Sequence, residues 1–205
     1  MRSLFSAAAL SALLVPRLAS GAERHFGFSY ESSVQSPGTA ELQPWTTVRA
    51  GRADYYSNLG ARLGVDFGIA KHLEGAFLWN LSATTEDVVV PGTPSAARLS
   101  TTDFQSVSAQ FKYKLSDPVA DALGCALLLE GTYGPFVTGF EGRLILDEQL
   151  GSLLLAANLV GGDFGQLDRR STFEGSLGAT VAAGYFVTPS FVPSLEARSE
   201  TAFDS

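Results

Sequence analysis

The sequence predicts an all-β protein: an antiparallel, up-and-down transmembrane β-barrel of about ten strands behind a cleaved signal peptide. Three observations predict it. The first is a strict period of two in which the second face is built from small residues. Over residues 59–69, Leu63, Val65, Phe67 and Ile69 alternate with Arg62, Gly64, Asp66 and Gly68; over 73–84, Leu73, Phe77, Trp79 and Leu81 alternate with Glu74, Ala76, Asn80 and Ser82. One apolar face and one small or polar face suits a strand between lipid and a narrow lumen. The second is composition. Charged residues make up 17% of the chain, below the roughly 25% usual for soluble domains. Yet past residue 22 no run approaches the roughly 18 apolar residues of a membrane helix. The third is an alternation of short and long connections, the asymmetry between the two ends of an outer-membrane barrel.

The elements follow in order. Residues 1–22 read as a signal peptide: Arg2, the apolar run Leu4–Val15, then small residues at Ser20-Gly21-Ala22. The barrel domain is then 23–205. His25–Ser33, with Phe26, Phe28 and Tyr30 in one parity, reads as a first strand, closed by the turn Ser36-Pro37-Gly38. Glu41–Ala50 carries Leu42, Trp45 and Val48, and its Pro44 makes it an edge or bulged strand. The pair 59–69 and 73–84 comes next, then a polar loop over 85–103.

Phe104–Leu115 sets Val107, Ala109, Phe111, Tyr113 and Leu115 against Ser106, Ser108, Gln110, Lys112 and Lys114. Ser116-Asp117-Pro118 turns it. Leu123–Tyr133 points Cys125, Leu127, Leu129 and Tyr133 outward, with Ala126, Glu130 and Thr132 inward. Phe140–Leu146 points Glu141 and Arg143 inward, and Asp147–Gly151 reads as a tight turn. Leu153, Leu155, Ala157 and Leu159 oppose Ala156 and Asn158, with a loop expected after Gly161-Gly162-Asp163. Phe173–Tyr185 sets Leu177, Val181 and Tyr185 against Glu174, Ser176, Thr180 and Gly184. After the turn Val187–Ser190, Leu195 and Ala197 oppose Glu196, Arg198 and Glu200.

A soluble β-sandwich alternates too. Its polar face would meet bulk water and be dense in Lys, Glu and Thr; here that face is mostly Gly, Ala, Ser and Asn with scattered charges. Trp79, Tyr113, Tyr133 and Tyr185 near strand ends match an interfacial aromatic girdle. The barrel in the bacterial outer membrane is the preferred reading, with outer-membrane lipid as its partner.

Charge and rare residues exclude several functions. Without the signal's two arginines, 12 basic residues face 21 acidic ones, a net charge of −9. A nucleic-acid binder needs a basic face. One cysteine, Cys125, permits no intrachain disulfide, and two histidines leave little for a metal site. No cofactor and no metal are expected. His25 and His72 read as surface residues, so catalysis is not expected either.

The stretch GTAELQPWTTVRAGRADYYSNLGARLGVDFGIAKHLEGAFLWN resembles a family of uncharacterised bacterial outer-membrane β-barrel proteins. Glu41, Leu42, Trp45, Arg49, Phe67, Gly68, Leu73, Leu78 and Asn80 carry the resemblance, over roughly residues 26–82. The turn Ala70-Lys71-His72-Leu73 departs from that family's Thr-Asp pattern. The resemblance implies a membrane barrel and no activity. It also implies a C-terminally shortened chain, because Phe203 is third from the end where a terminal aromatic is expected.

The candidate lumen-lining residues are Arg62, Asp66, Glu74, Lys112, Lys114, Glu130, Glu141, Arg143, Glu174, Glu196 and Arg198, with Glu200 beside them. They either line a narrow water path for a small solute or pair across strands and fill the lumen. A barrel of about ten strands is only slightly wider than one that side chains fill, so a mostly filled lumen is expected. Arg49, Arg52, Asp54, Tyr55 and Tyr56 form a second candidate cluster, a mouth or ligand site against a simpler solvated loop. Passive transport or an envelope-structural role is therefore the expected function. A soluble exported β-sandwich and an outer-membrane enzyme are the alternatives.

Overall fold

The computed structural model describes residues 24–51, 55–89, 96–135, 137–165, 173–188 and 191–204; the expected signal peptide lies outside them. Among the described residues nine strands form one antiparallel sheet in chain order. They are β1 (Ala40–Ala50), β2 (Tyr56–Ala70), β3 (Leu73–Val89), β4 (Ala96–Ser116), β5 (Gly124–Tyr133), β6 (Thr138–Leu150), β7 (Leu153–Gly165), β8 (Phe173–Tyr185) and β9 (Ser194–Asp204). Each strand pairs with the next one, as local hairpins favour. The sheet curls into a half-barrel in which β1 and β9 are not paired with each other. Among the described residues there is no helix.

The period of two sets the two faces. Leu63, Phe77, Trp79, Phe111, Leu127, Leu129, Leu159, Leu177 and Val181 stand exposed on the convex side, while Ala76, Leu78, Ser106, Ser108, Ala126, Leu128, Asn158 and Thr180 are buried on the concave side. Rings on the convex face need room. Phe67 and Phe77 stack with centroids 5.8 Å apart, and Gly75, opposite Phe67 in the ladder, leaves the space. A Cβ at Gly75 would lie 2.6 Å from the Phe67 ring.

Four boundaries differ from the sequence reading. The expected loop 85–103 is largely strand: the β3–β4 ladder continues to Val89 and Ala96. Its Thr84, Thr85, Thr101 and Thr102 are polar but β-branched, and pairing outweighs the polarity. Asp147–Gly151 is not a turn. Strand β6 continues through Leu150, and the reversal is made by Gly151 and Ser152, with Gly151 at φ 62°. Gly161 and Gly162 do not end β7; they pair with Gly142 and Glu141.

The fourth difference changes the interior. His25–Ser33 is not a strand of the sheet. The segment 24–39 runs across the concave face instead, with Phe26, Ser29, Tyr30, Glu31, Ser32 and Gln35 buried. The sheet therefore has nine strands, not ten, and its edges are β1 and β9. Pro44 sits in the edge strand β1, where a missing N–H is tolerated. The buried apolar core is two small clusters, each built around one ring of this segment. Phe26 packs with Leu154, Ala156 and Ala182; Tyr30 packs with Ala126, Leu128 and Ile145.

Candidate functional site

The interior begins with a problem of backbone chemistry. A segment without ladder partners buries N–H and C=O groups that must be satisfied. Inward side chains of the sheet satisfy them. The Glu196 carboxylate on β9 accepts from the N–H groups of Gly27, Phe28 and Ser29, the last two at 2.8 Å. Asn158 on β7 accepts from the Tyr30 N–H at 2.6 Å and donates to the Tyr30 carbonyl at 3.0 Å. Asp147 on β6 accepts from Ser32 N–H, and Glu74 on β3 from Gln35 N–H. Gln35 then donates to Glu41 on β1. The segment thus crosses the concave side from β9 to β1. At Gly27 a Cβ would meet both Glu196 and Trp45, so residues from the two sheet edges converge there. The segment leaves beside Gly68, whose N–H and C=O bond Thr39 and Gly38.

The remaining candidate lumen residues take varied positions. Lys112 pairs with Glu74 at 3.0 Å, both side chains largely buried. Gln110 donates to Glu130. Arg143 pairs with Glu141 at 2.5 Å, and Lys114 with Asp117 in the turn at 2.8 Å. The Lys114 ammonium, through its hydrogen bond, lowers the Asp117 carboxyl below its ordinary range. Arg198 pairs with Glu200. Asp66 lines a cavity of about 40 Å³ with Tyr30 and Glu74. Glu174 is exposed near the start of β8. His25, expected at the surface, is instead drawn against Glu31, with Nδ1 at 2.9 Å from the carboxylate. His72 is exposed in the β2–β3 turn, near the Tyr113 ring.

Above the crossing segment lies a larger cavity of about 280 Å³. Among the described residues five arginines line it, Arg24, Arg49, Arg62, Arg143 and Arg198, and no aspartate or glutamate does. Arg24 donates to the carbonyls of Phe26 and Gly27. Arg49 donates to Asn58, whose amide donates to Ser82 and Thr84. Arg62 donates to Asn80, whose amide donates to Ser106. Neutral oxygens thus hold all three guanidiniums. The guanidinium carbons of Arg24 and Arg143 lie 4.0 and 4.5 Å from the centre of the Tyr30 ring. Burial pushes the Tyr30 phenol up, but Arg24, Arg143 and Arg62 together pull it below its ordinary value.

The chamber has a direction. Arg49 is next to last in β1, at the end facing the 51–55 connection, whereas the crossing segment departs near the Lys71–His72 turn. The segment fills the half near the 71–72 and 151–152 turns, and the chamber occupies the half near the β1–β2 connection. The expected alternation of short and long connections is not found, since the β4–β5 and β8–β9 connections are longer than the β1–β2 and β5–β6 ones on the other side. The second candidate cluster is divided by this arrangement. Arg49 belongs to the chamber, and Tyr55 carries Arg98 over its ring at 3.8 Å. Tyr56 opens β2, and Arg52 and Asp54 lie outside the described residues.

Sequence reasoning missed Arg24, Tyr30, Asn58, Asn80, Asn158 and Asp147 as interior residues with a task, and grouped Trp45 with the outward Leu42 and Val48. The parity of β1 carried the missing signal, since Glu41, Gln43, Trp45, Thr47 and Arg49 share one face. Among the described residues no group of three His, Cys, Asp or Glu side chains could hold a metal ion.

The chain belongs to a family of unknown function, DUF6662, whose profile matches residues 18–150. That span takes in the crossing segment and β1 to β6. No curated protein and no solved structure matches the chain.

Proposed function

Starting from membership of that family, we propose that the chain is an outer-membrane β-barrel protein whose interior is occupied by its own N-terminal segment. Its role is in the envelope rather than in free solute flow. The observation that supports this reading is the distribution of apolar side chains. Among the described residues thirty-three large apolar side chains are exposed and ten hydrophobic residues are buried, an inversion that water penalises and lipid rewards. The surface is also banded. Tyr113 and Tyr185 lie near the short turns; Trp79 and Tyr133 flank Val107 at a second level. The six residue steps from Val107 to Tyr113 span roughly 20 Å of strand. That suits a membrane band of about 25 Å. Beyond it the β3–β4 hairpin continues as a Thr- and Ser-rich extension.

Passive transport is the second reading, and the 280 Å³ chamber favours it. The crossing segment opposes it, since it fills the other half of the interior. Refolding the mature chain in detergent, followed by unheated gel electrophoresis and planar-bilayer recording, separates the readings. A compact, heat-modifiable species that inserts without steady conductance supports the envelope role. Reproducible conductance steps support transport. A chain that is fully soluble without detergent overturns the membrane assignment.

A further inference from the structure

The five arginines are distributed unlike the other interior charges. At the end near the β2–β3 turn the two inward lysines each have a carboxylate: Lys112 has Glu74 and Lys114 has Asp117. In the chamber, Arg143 and Arg198 have Glu141 and Glu200. Among the described residues Arg24, Arg49 and Arg62 have only neutral hydrogen-bond partners, namely carbonyls, Asn58 and Asn80; the carboxylates of Asp66 and Glu74 lie in the adjoining small cavity that Arg24 and Arg62 also line. Arg24 and Arg62 are half-buried and Arg49 is exposed at the rim, and a partly desolvated cation gains from a matching anion. An asparagine partner fixes the Arg49 and Arg62 guanidiniums without neutralising them. The fixing extends outward, since Ser82, Thr84 and Ser106 orient the two asparagines. The chain carries seven more acidic than basic residues, so carboxylates were available to a fold that needed only neutralisation.

We propose that this chamber is a binding site for a phosphate group, presented by a small phosphate ester or a lipid headgroup. Three arginines that face one cavity without an ion pair suit an anion of more than one charge, which a single carboxylate does not supply. Guanidinium forks match the oxygens of phosphate in pairs. Every cation is arginine, none is lysine. At about 280 Å³ the cavity lies near the small end of ligand sites; it admits a phosphate with a short substituent, not a polymer. Phe28 and Trp45 supply an apolar wall for that substituent. The proposal rests on the chamber alone. It fails or stands separately from the membrane assignment, because the titration below works in detergent or in plain buffer.

The test is calorimetric titration of inorganic phosphate into the mature chain at fixed ionic strength. The expected result is saturable binding of one phosphate per chain. Binding should weaken at least tenfold in R49Q and in R62Q and stay unchanged in K71Q, which alters an exposed turn cation. Arg49 is exposed at a strand end, so R49Q keeps the fold even where R62Q does not. Displacement by a water-soluble short-chain phosphatidate at lower concentration than by glycerol phosphate assigns the headgroup source, and equal displacement assigns the soluble ester. Heats that follow ionic strength only, or binding that R49Q leaves intact, overturn the proposal.

Discussion

Replacing Asn158 with alanine tests how the crossing segment is held. Asn158 is 1% exposed and bonds both the N–H and the C=O of Tyr30. No other hydrogen bond to either Tyr30 group occurs among the described residues. The alanine variant leaves a buried donor and a buried acceptor unmatched, at about 1–3 kcal/mol each. The joint cost is about 2–6 kcal/mol, and it falls on the docked segment while the β7 ladder keeps its backbone bonds. At tenfold per 1.4 kcal/mol, the undocked population should rise about 30-fold or more. A cysteine at Ser32, which is fully buried in the segment, reports that population in a Cys125→Ala background. Maleimide labelling of position 32 should accelerate by at least that factor in N158A, with the heat-modifiable species retained. An unchanged labelling rate would refute the account of Asn158 as the backbone partner of Tyr30. Loss of all compact species would show that segment and sheet are not separable.

Other consequences are equally direct. Phe77→Arg places a charge on the convex face and should cost roughly 2–4 kcal/mol in a bilayer, read from denaturant titrations in vesicles; a cost near zero would contradict lipid contact there. Gly75→Ala puts a Cβ within 2.6 Å of the Phe67 ring and should cost about 1–3 kcal/mol by overpacking, relieved in the F67L background if the clash is the cause. Lys112→Met strands the largely buried Glu74 carboxylate and should cost about 3–5 kcal/mol in the same titration. The Tyr30 phenol is an acid held below its ordinary value of about 10 by the chamber arginines. Its contribution to stability is therefore present above that value and lost as pH falls through the lowered one. Phenolate absorbance should show one tyrosine titrating early, absent in Y30F; a titration curve identical in the two proteins would contradict the electrostatic picture.

The period-two pattern made the sheet legible, and for a physical reason. A strand whose two faces meet different surroundings, one of them a packed interior, has no freedom of register, so Phe77 and Glu74 could be assigned opposite sides from sequence. The crossing segment was misread because Phe26, Phe28 and Tyr30 also alternate. Alternation reports which side chains are buried and is silent on what bonds the backbone. Nothing local distinguishes ladder partners from Glu196 and Asn158, which lie more than a hundred residues away. Of the candidate lumen charges, Glu74, Lys112 and Glu130 are buried, whereas Glu174, Arg198 and Glu200 are exposed, and the partners of none of them were legible. Glu74 and Glu196 look like lumen carboxylates and turn out to accept from backbone N–H groups. The chamber was hidden for a related reason. Its five arginines come from the segment and from β1, β2, β6 and β9, and only the curl of the sheet brings them together.

The central claim, a lipid-facing convex surface over a filled interior, is tested most directly along β3. Spin labels placed singly at residues 74 to 81 in vesicle-reconstituted protein report exposure to oxygen, which concentrates in lipid, and to a water-soluble nickel chelate. Labels at Phe77, Trp79 and Leu81 should show high oxygen and low chelate exposure, and labels at Glu74, Ala76 and Leu78 should be shielded from both. Chelate reaching positions 77, 79 and 81 would contradict lipid contact, and chelate reaching 74, 76 and 78 would contradict a filled interior.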